Sequence, residues 1–292
     1  MALVTAPREE YVLRTRTLVA RHAPSPGRPS AVYIHGLGGS SLNWADFMVL
    51  MQPHVDGWAV DLGGFGASPP PRDGDMTPAG HARGVAELIE HLGIAPVHLF
   101  GNSLGGAVAL QLAARRPDLV RTLTLISPAL PQVFATKSNA HLPVIAVPGV
   151  GERLVAGFLE SSQPMGRVRG SIDVTFADPS RMSPERIAEA AAEVEEHDRY
   201  PYAADAFLRA LRGLLKTFVD PGPERPWKLA ERVTCPTLVV YGRQDPLVDS
   251  RSAHRVTKHF PNAHVLVLPD CGHVAQMEHP DFVVAAWERF LA

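Results

Sequence analysis

A chain of 292 residues, 46% of them hydrophobic, is long enough for one large α/β domain that carries an insertion or for two smaller domains. Its 28 basic and 30 acidic side chains leave a formal charge of -2 with no Lys/Arg block, so the electrostatic footprint of a nucleic-acid binder is missing. No apolar stretch is long enough to span a bilayer, the opening MALVTAPREEYVLR lacks the basic and apolar regions of a signal peptide, and Cys235 and Cys271 are too few for a disulfide framework. A cytoplasmic location, reduced thiols and no stable membrane insertion are the expectations.

The segment YVLRTRTLVARH alternates polar and apolar residues and predicts one antiparallel edge strand, followed by the turn-rich HAPSPGRPS. Six later runs are almost continuously apolar: AVYIHG from 31, WAVDL from 58, VHLFG from 97, TLTLIS from 122, TLVVYG from 237 and HVLVLP from 264. That character belongs to parallel strands buried on both faces. Between them, Val85, Leu88, Ile89 and Leu92 recur at helical spacing, and Val283, Ala286, Trp287 and Phe290 do so near the C-terminus. Strands alternating with helices predict crossover units and an α/β fold.

The alternation breaks between about 129 and 229. HLPVIAVPGVGERLVAGFL, SPERIAEAAAEVEEHDR and ADAFLRALRGLLKTFVD read as a helical insertion, which divides the chain into a core of 1–128 and 230–292 around a lid of 129–229. An insertion past the C-terminal end of a strand covers the crevice where open α/β sheets bind ligands. Its stripe of Phe207, Leu211, Leu214, Leu215 and Phe218 also fits ordinary packing against the main domain.

The stretch Gly101 to Gly105, GNSLG, matches the G-x-S-x-G nucleophile elbow and stands between a predicted strand and a predicted helix. Glycines are needed there because neighbouring side chains would collide with the flanking elements. The turn exposes Ser103 and sets the Leu104 amide at a helix N-terminus, ready to donate to an oxyanion. A serine hydroxyl needs a base. His273 in LPDCGHVAQMEHP follows the last strand, whereas His279 precedes Pro280 and fits a capping or packing role. The orienting acid is expected after the preceding strand, where Asp245 is nearer the strand end than Asp249, which suits a helix N-terminus. In YIHGLGGSSLNW a glycine-rich turn brings the Leu37 amide in as second oxyanion donor, while His35 and Asp61 read as residues that stabilise turns.

In this order, HGLGG, DLGGFGAS, GNSLGG, GRQD and DCGHVAQMEHP resemble the α/β-hydrolase superfamily across nearly the whole chain apart from the lid. The resemblance implies an eight-stranded, mostly parallel sheet with a cap and the triad Ser103, Asp245 and His273; the dispersed polar residues give little support for a metal, and no cofactor is implied. A serine at the elbow argues against haloalkane dehalogenases and epoxide hydrolases. Asn102 and the segment CGHVAQMEH resemble hydrolases that cleave carbon-carbon bonds in aromatic meta-cleavage products. That branch typically carries tryptophans where this chain has Val274 and Met277, and a lid arginine for which Arg167 and Arg169 are candidates.

Taken together, these features predict a carboxylic-ester hydrolase that works through an acyl-enzyme on a small substrate with a hydrophobic acyl or aromatic group. Carbon-carbon hydrolysis is the second reading. A third, of another class, is a ligand-binding receptor on the same fold.

Overall fold

A computed structural model describes residues 5–132, 136 and 138–292; residues 1–4, at the start of the segment read for a signal peptide, and 133–135 and 137, within the expected lid, lie outside the described residues. Eight strands form one sheet: β1 Arg8–Val12, β2 Thr17–Ala23, β3 Ser30–Ile34, β4 Asp56–Asp61, β5 Val97–Asn102, β6 Val120–Ile126, β7 Thr237–Gly242 and β8 Ala263–Leu268. Their spatial order is β1-β2-β4-β3-β5-β6-β7-β8. From β4 onward across the sheet every neighbouring pair is parallel, and β2 is antiparallel to both β1 and β4. Every residue of β5 and β7 is buried, which accounts for their nearly continuous apolar runs.

One expectation needs correction. YVLRTRTLVARH is two strands rather than one edge strand, because a turn closed by the Leu13 amide on the Arg16 carbonyl at 2.8 Å separates β1 from β2. No glycine or proline marks this turn. A tertiary contact holds it instead: the Thr15 amide and hydroxyl donate to the Glu87 carboxylate at 3.1 and 2.8 Å. The outer strand is therefore β1, and β2 lies inside the sheet.

The helices in chain order are α1 Ala45–Met51, α2 Pro78–Leu92, α3 Leu104–Arg115, α4 Leu142–Ile145, α5 Val150–Ser161, α6 Pro164–Thr175, α7 Pro184–Asp198, α8 Ala203–Phe218, α9 Pro226–Ala230, α10 Ala253–His259, α11 Ala275–Glu278 and α12 Pro280–Leu291. Helix α2 starts where Thr77 caps the Gly80 amide with Pro78 in the first turn, and ends at Gly93 in the left-handed conformation. Val85, Leu88, Ile89, Val108, Leu112 and Val256 pack α2, α3 and α10 into one core layer. On the opposite layer Phe47, Met51, Val283 and Trp287 join α1 and α12 to Tyr33 and Phe100 of the sheet. A sheet covered on both faces presents its crevice at the carboxyl ends of β3 and β5, where successive connections leave in opposite directions.

The segment between β6 and β7 is helical, as its sequence indicates. Within it α9 packs on the main core through Trp227, Leu229 and Ala230. Helix α7 is tied to the sheet domain by charge: Glu193 pairs with Arg8 at 2.7 Å and with Arg21, and Arg186 pairs with Asp46 at 2.6 Å. Among the described residues, no helix is long and apolar enough to cross a membrane.

Trp287 is 3% exposed, with its ring 5.9 Å from Phe100 and 5.1 Å from His98. Trp287→Ala is expected to cost about 3–5 kcal/mol, measured as a shift in the denaturation midpoint, because the cavity cannot collapse between sheet and helix.

Candidate active site

Ser103 joins β5 to α3 with φ of 54°, a conformation that L side chains rarely adopt. Three backbones converge to leave it room. A side chain on Gly105 would strike the carbonyl oxygen of Ile34 in the adjacent strand, one on Gly101 would strike the Gly105 carbonyl, and one on Gly106 would come within 2.7 Å of Pro128. The turn is pinned by the Ser103 amide donating to Ile126 at 3.1 Å and by the Ala129 amide donating to Ser103 at 2.9 Å. Asn102 and Leu104 are buried on either side of a half-buried serine. As the first residue of α3, Leu104 has an amide with no partner within the helix.

The loop after β3 runs beside this turn. A Cβ on Gly36 would stand 3.2 Å from the Ser103 Cβ, so the segment carrying Leu37 adjoins the serine. His35 is fully buried and its tautomer follows from its neighbours: Nδ1 lies 2.7 Å from the Gly36 carbonyl and donates to it, while Nε2 accepts from the Leu62 amide at 3.0 Å. Burial first of all pushes its pKa down, so the ring stays neutral. Asp61 accepts from the amides of Ser41 at 2.6 Å and Ala67 at 2.9 Å, bracing the two glycine-rich loops.

His273 and Asp245 meet in a buried pair, with Nδ1 at 2.8 Å from Oδ2. A carboxylate only accepts, so a proton sits on Nδ1 and, in the neutral ring, the Nε2 lone pair faces away from Asp245. The other oxygen of Asp245 accepts from the amides of Leu247 at 2.8 Å and Val248 at 2.9 Å. Burial by itself would raise the Asp245 carboxyl, but the neighbouring His273, through charge and hydrogen bond, and the Val248 amide together hold it below the ordinary carboxylate range. Its loop is laid against that of His273 by the Gln244 amide donating to Cys271 at 3.0 Å.

Asn102 connects the two halves of the site. Its Nδ2 donates to the Ile126 carbonyl and to the His273 carbonyl, both at 3.1 Å, so the residue before the serine holds the histidine loop. Sequence reasoning noted Asn102 only through resemblance and missed this bond, because nothing in the linear pattern pairs a residue at 102 with a backbone at 273. The alternative candidates have other partners. Asp249 caps a short turn and binds Arg251, and His279 lies 2.8 Å from both the Asp270 carbonyl and an Arg181 nitrogen. Arg167 is paired with Asp198, and Arg169 is exposed. Val274 and Met277 pack with Val168, Ile172 and Phe176 of the insertion.

A model of the alpha/beta hydrolase family matches residues 31–286. The chain belongs to that family. The dihydrolipoyllysine-residue acetyltransferase component of the acetoin cleaving system from Cupriavidus necator is 30% identical over 258 residues, which cover 86% of this chain and 60% of that relative. This chain therefore spans less than two thirds of that protein. A 2-hydroxy-6-oxononadienedioate/2-hydroxy-6-oxononatrienedioate hydrolase from Pseudomonas sp. is 29% identical over 263 residues, covering 87% of this chain and 85% of that one. Among solved structures, the 2-hydroxy-6-oxo-6-phenylhexa-2,4-dienoate hydrolase from Rhodococcus sp. strain RHA1 superposes with a TM-score of 0.76 at 24% identity over 98% of this chain and 99% of its own. The thermophilic esterase from Thermogutta terrifontis does so with 0.74 at 23% identity over 98% of both. These two likenesses carry the alpha/beta hydrolase fold, with its eight-stranded, mostly parallel sheet.

The depressed pKa of Asp245 has a stability consequence. A carboxyl whose folded-state pKa lies below its unfolded value contributes stability in full above the unfolded pKa and loses it as pH falls through the folded one. The stability gap between wild type and Asp245→Asn is therefore expected to be largest near neutrality and to shrink in acid. Denaturant titrations at about pH 7 and about pH 3 measure it.

Proposed function

We propose that this alpha/beta hydrolase cleaves carboxylic esters with a hydrophobic acyl or aromatic group, using Ser103, His273 and Asp245 as its triad. The observation that carries the reading is the buried His273–Asp245 pair at 2.8 Å, whose loop is bonded through Asn102 to a serine held at φ of 54°. In this mechanism Ser103 Oγ attacks the ester carbonyl while His273 Nε2 takes its proton, and Asp245 stabilises the imidazolium without being protonated. The amides of Leu37 and Leu104 receive the oxyanion. Collapse of the tetrahedral intermediate breaks the ester C–O bond, and the proton on Nε2 goes to the departing alcohol. Water, deprotonated by the same nitrogen, then attacks the acyl-enzyme and releases the carboxylic acid and free Ser103.

The insertion is read as a lid over 129–229. Phe207 of α8 supports this, since a Cβ on Gly38 of the oxyanion loop would stand 3.6 Å from its ring. An aromatic wall there favours a substrate with an apolar body, which gains affinity by leaving water.

Carbon-carbon hydrolysis is the second reading. It is supported by the relative from Pseudomonas sp. and by Asn102 before the serine. Against it, Val274 and Met277 are taken up in the packing of the insertion and Arg167 is paired with Asp198. A receptor role would leave a poised nucleophile without a use.

The test is hydrolysis of p-nitrophenyl esters from acetyl to dodecanoyl by wild type, Ser103→Ala and Asp245→Asn. Turnover that favours longer chains, lost by at least about a thousandfold in both variants, is the expected result. Equal turnover of acetyl and longer esters would remove the apolar-pocket reading. A wild type inert on every ester but active on a meta-cleavage dienone would favour the second reading, and tight binding of a hydrophobic ligand without turnover the receptor.

A further inference from the structure

Glu278 on α11 has no place in the mechanism above, yet its side chain is 0% exposed. A buried carboxylate is tolerated only when its oxygens are well supplied with donors. Glu278 draws them from two separate parts of the chain. From the loop of the catalytic histidine it accepts the Gly272 amide at 2.7 Å. From the turn after α6, in the insertion, it accepts the amides of Ala177 at 3.0 Å and Asp178 at 2.9 Å and the Arg181 guanidinium at 2.7 Å. Arg181 also donates to the Asp270 carbonyl at 2.7 Å, closing the same ring of contacts from the other side.

The two segments meet backbone to backbone at this carboxylate. The His273 amide donates to the Thr175 carbonyl at 2.6 Å. A side chain on Gly272 would strike that carbonyl and would come within 2.7 Å of the Ala177 nitrogen. The insertion therefore touches the backbone of the proposed base itself, at the amide of the residue whose imidazole must hold its register against Asp245.

We propose that Glu278 is a positioning residue for His273. Its carboxylate clamps the base loop to residues 175–181, so this part of the insertion belongs to the fixed catalytic frame and does not move with any lid opening. Substrate must enter past other parts of the insertion. The proposal rests on the assignment of His273 as the base.

The test compares wild type with Glu278→Gln, in which one acceptor becomes a donor facing other donors, and with Arg181→Ala and Arg181→Lys, which alter the more exposed end of the clamp. On folded protein, Glu278→Gln is expected to lower kcat for a p-nitrophenyl ester on the order of 10- to 100-fold, with KM changed less than about threefold, the penalty of a base displaced by a fraction of an ångström to an ångström. Labelling of Ser103 by a fluorophosphonate is expected to slow in parallel. Hydrogen exchange is expected to rise together in 270–274 and 175–181. Arg181→Ala is expected to give a several-fold loss that Arg181→Lys partly restores, and this pair keeps the test open should Glu278→Gln not fold. Unchanged kcat and labelling per folded molecule, with only a lower Tm, would reduce Glu278 to a structural role and overturn the proposal. Exchange rising in one segment alone would overturn the clamp. Ester turnover surviving in Ser103→Ala would instead sink the serine-hydrolase reading, which the exchange experiment does not depend on.

Discussion

The site depends on how closely three backbones approach at the carboxyl ends of β3, β5 and β6. Ser103 at φ of 54° is a strained residue, and the strain is sustained because Gly101, Gly105 and Gly106 let strand, helix and the Pro128 turn come together with no side chain between them. Give any of the three a Cβ and a neighbouring backbone or proline ring must shift. The half-buried serine, the free first amide of α3 and the neighbouring Gly36 loop all follow from that approach. The elbow is thus less a feature of five residues than of the sheet that surrounds them.

Around this point the polar groups are arranged so that burial does not neutralise the ones that need charge. Asp245 keeps its charge because His273 and two backbone amides face it. His35 is handled in the opposite way: both ring nitrogens are bonded as a neutral ring requires, which keeps a second imidazole near the serine from acting as a competing base. Asn102 and Asp61 spend their capacity on backbone groups of other loops. Each of these loops is held by a buried side chain that another loop contributes, so the geometry is set collectively.

The insertion shares in this arrangement. Its α7 binds the sheet domain through Glu193, which also accepts from the Ser40 hydroxyl at 2.6 Å, three residues beyond Leu37 in the loop after β3. Its α6 and α7 pack on the buried Val274 of the histidine loop and on the partly buried Met277 of α11. Through these side chains the loop becomes part of the insertion's own core.

Strands β3 to β7 were legible because burial on both faces forces nearly continuous apolar runs, whereas β8, read the same way from its run, is a half-exposed edge strand; the helices were legible because amphipathic spacing survives in a surface layer. The β1–β2 hairpin was not, since its turn has no glycine or proline and owes its shape to Glu87, far away in sequence. The motif spacing and chain order singled out Ser103, Asp245 and His273 as candidates, for local reasons: a glycine elbow, and an acid and a base each placed just past a strand. Whether His273 or His279, Asp245 or Asp249, forms the buried pair is a matter of which loops the sheet brings side by side, and that is a tertiary fact. The links of Asn102 to residue 273 and of Glu278 to residues 177 and 178 are of the same kind. Local sequence determined most of the elements and the reactive residue types, because those obey short-range sterics and periodicity; only the folded chain decided the β1–β2 turn and the partners of the reactive residues, because a hydrogen bond between distant segments leaves no periodic trace in either one.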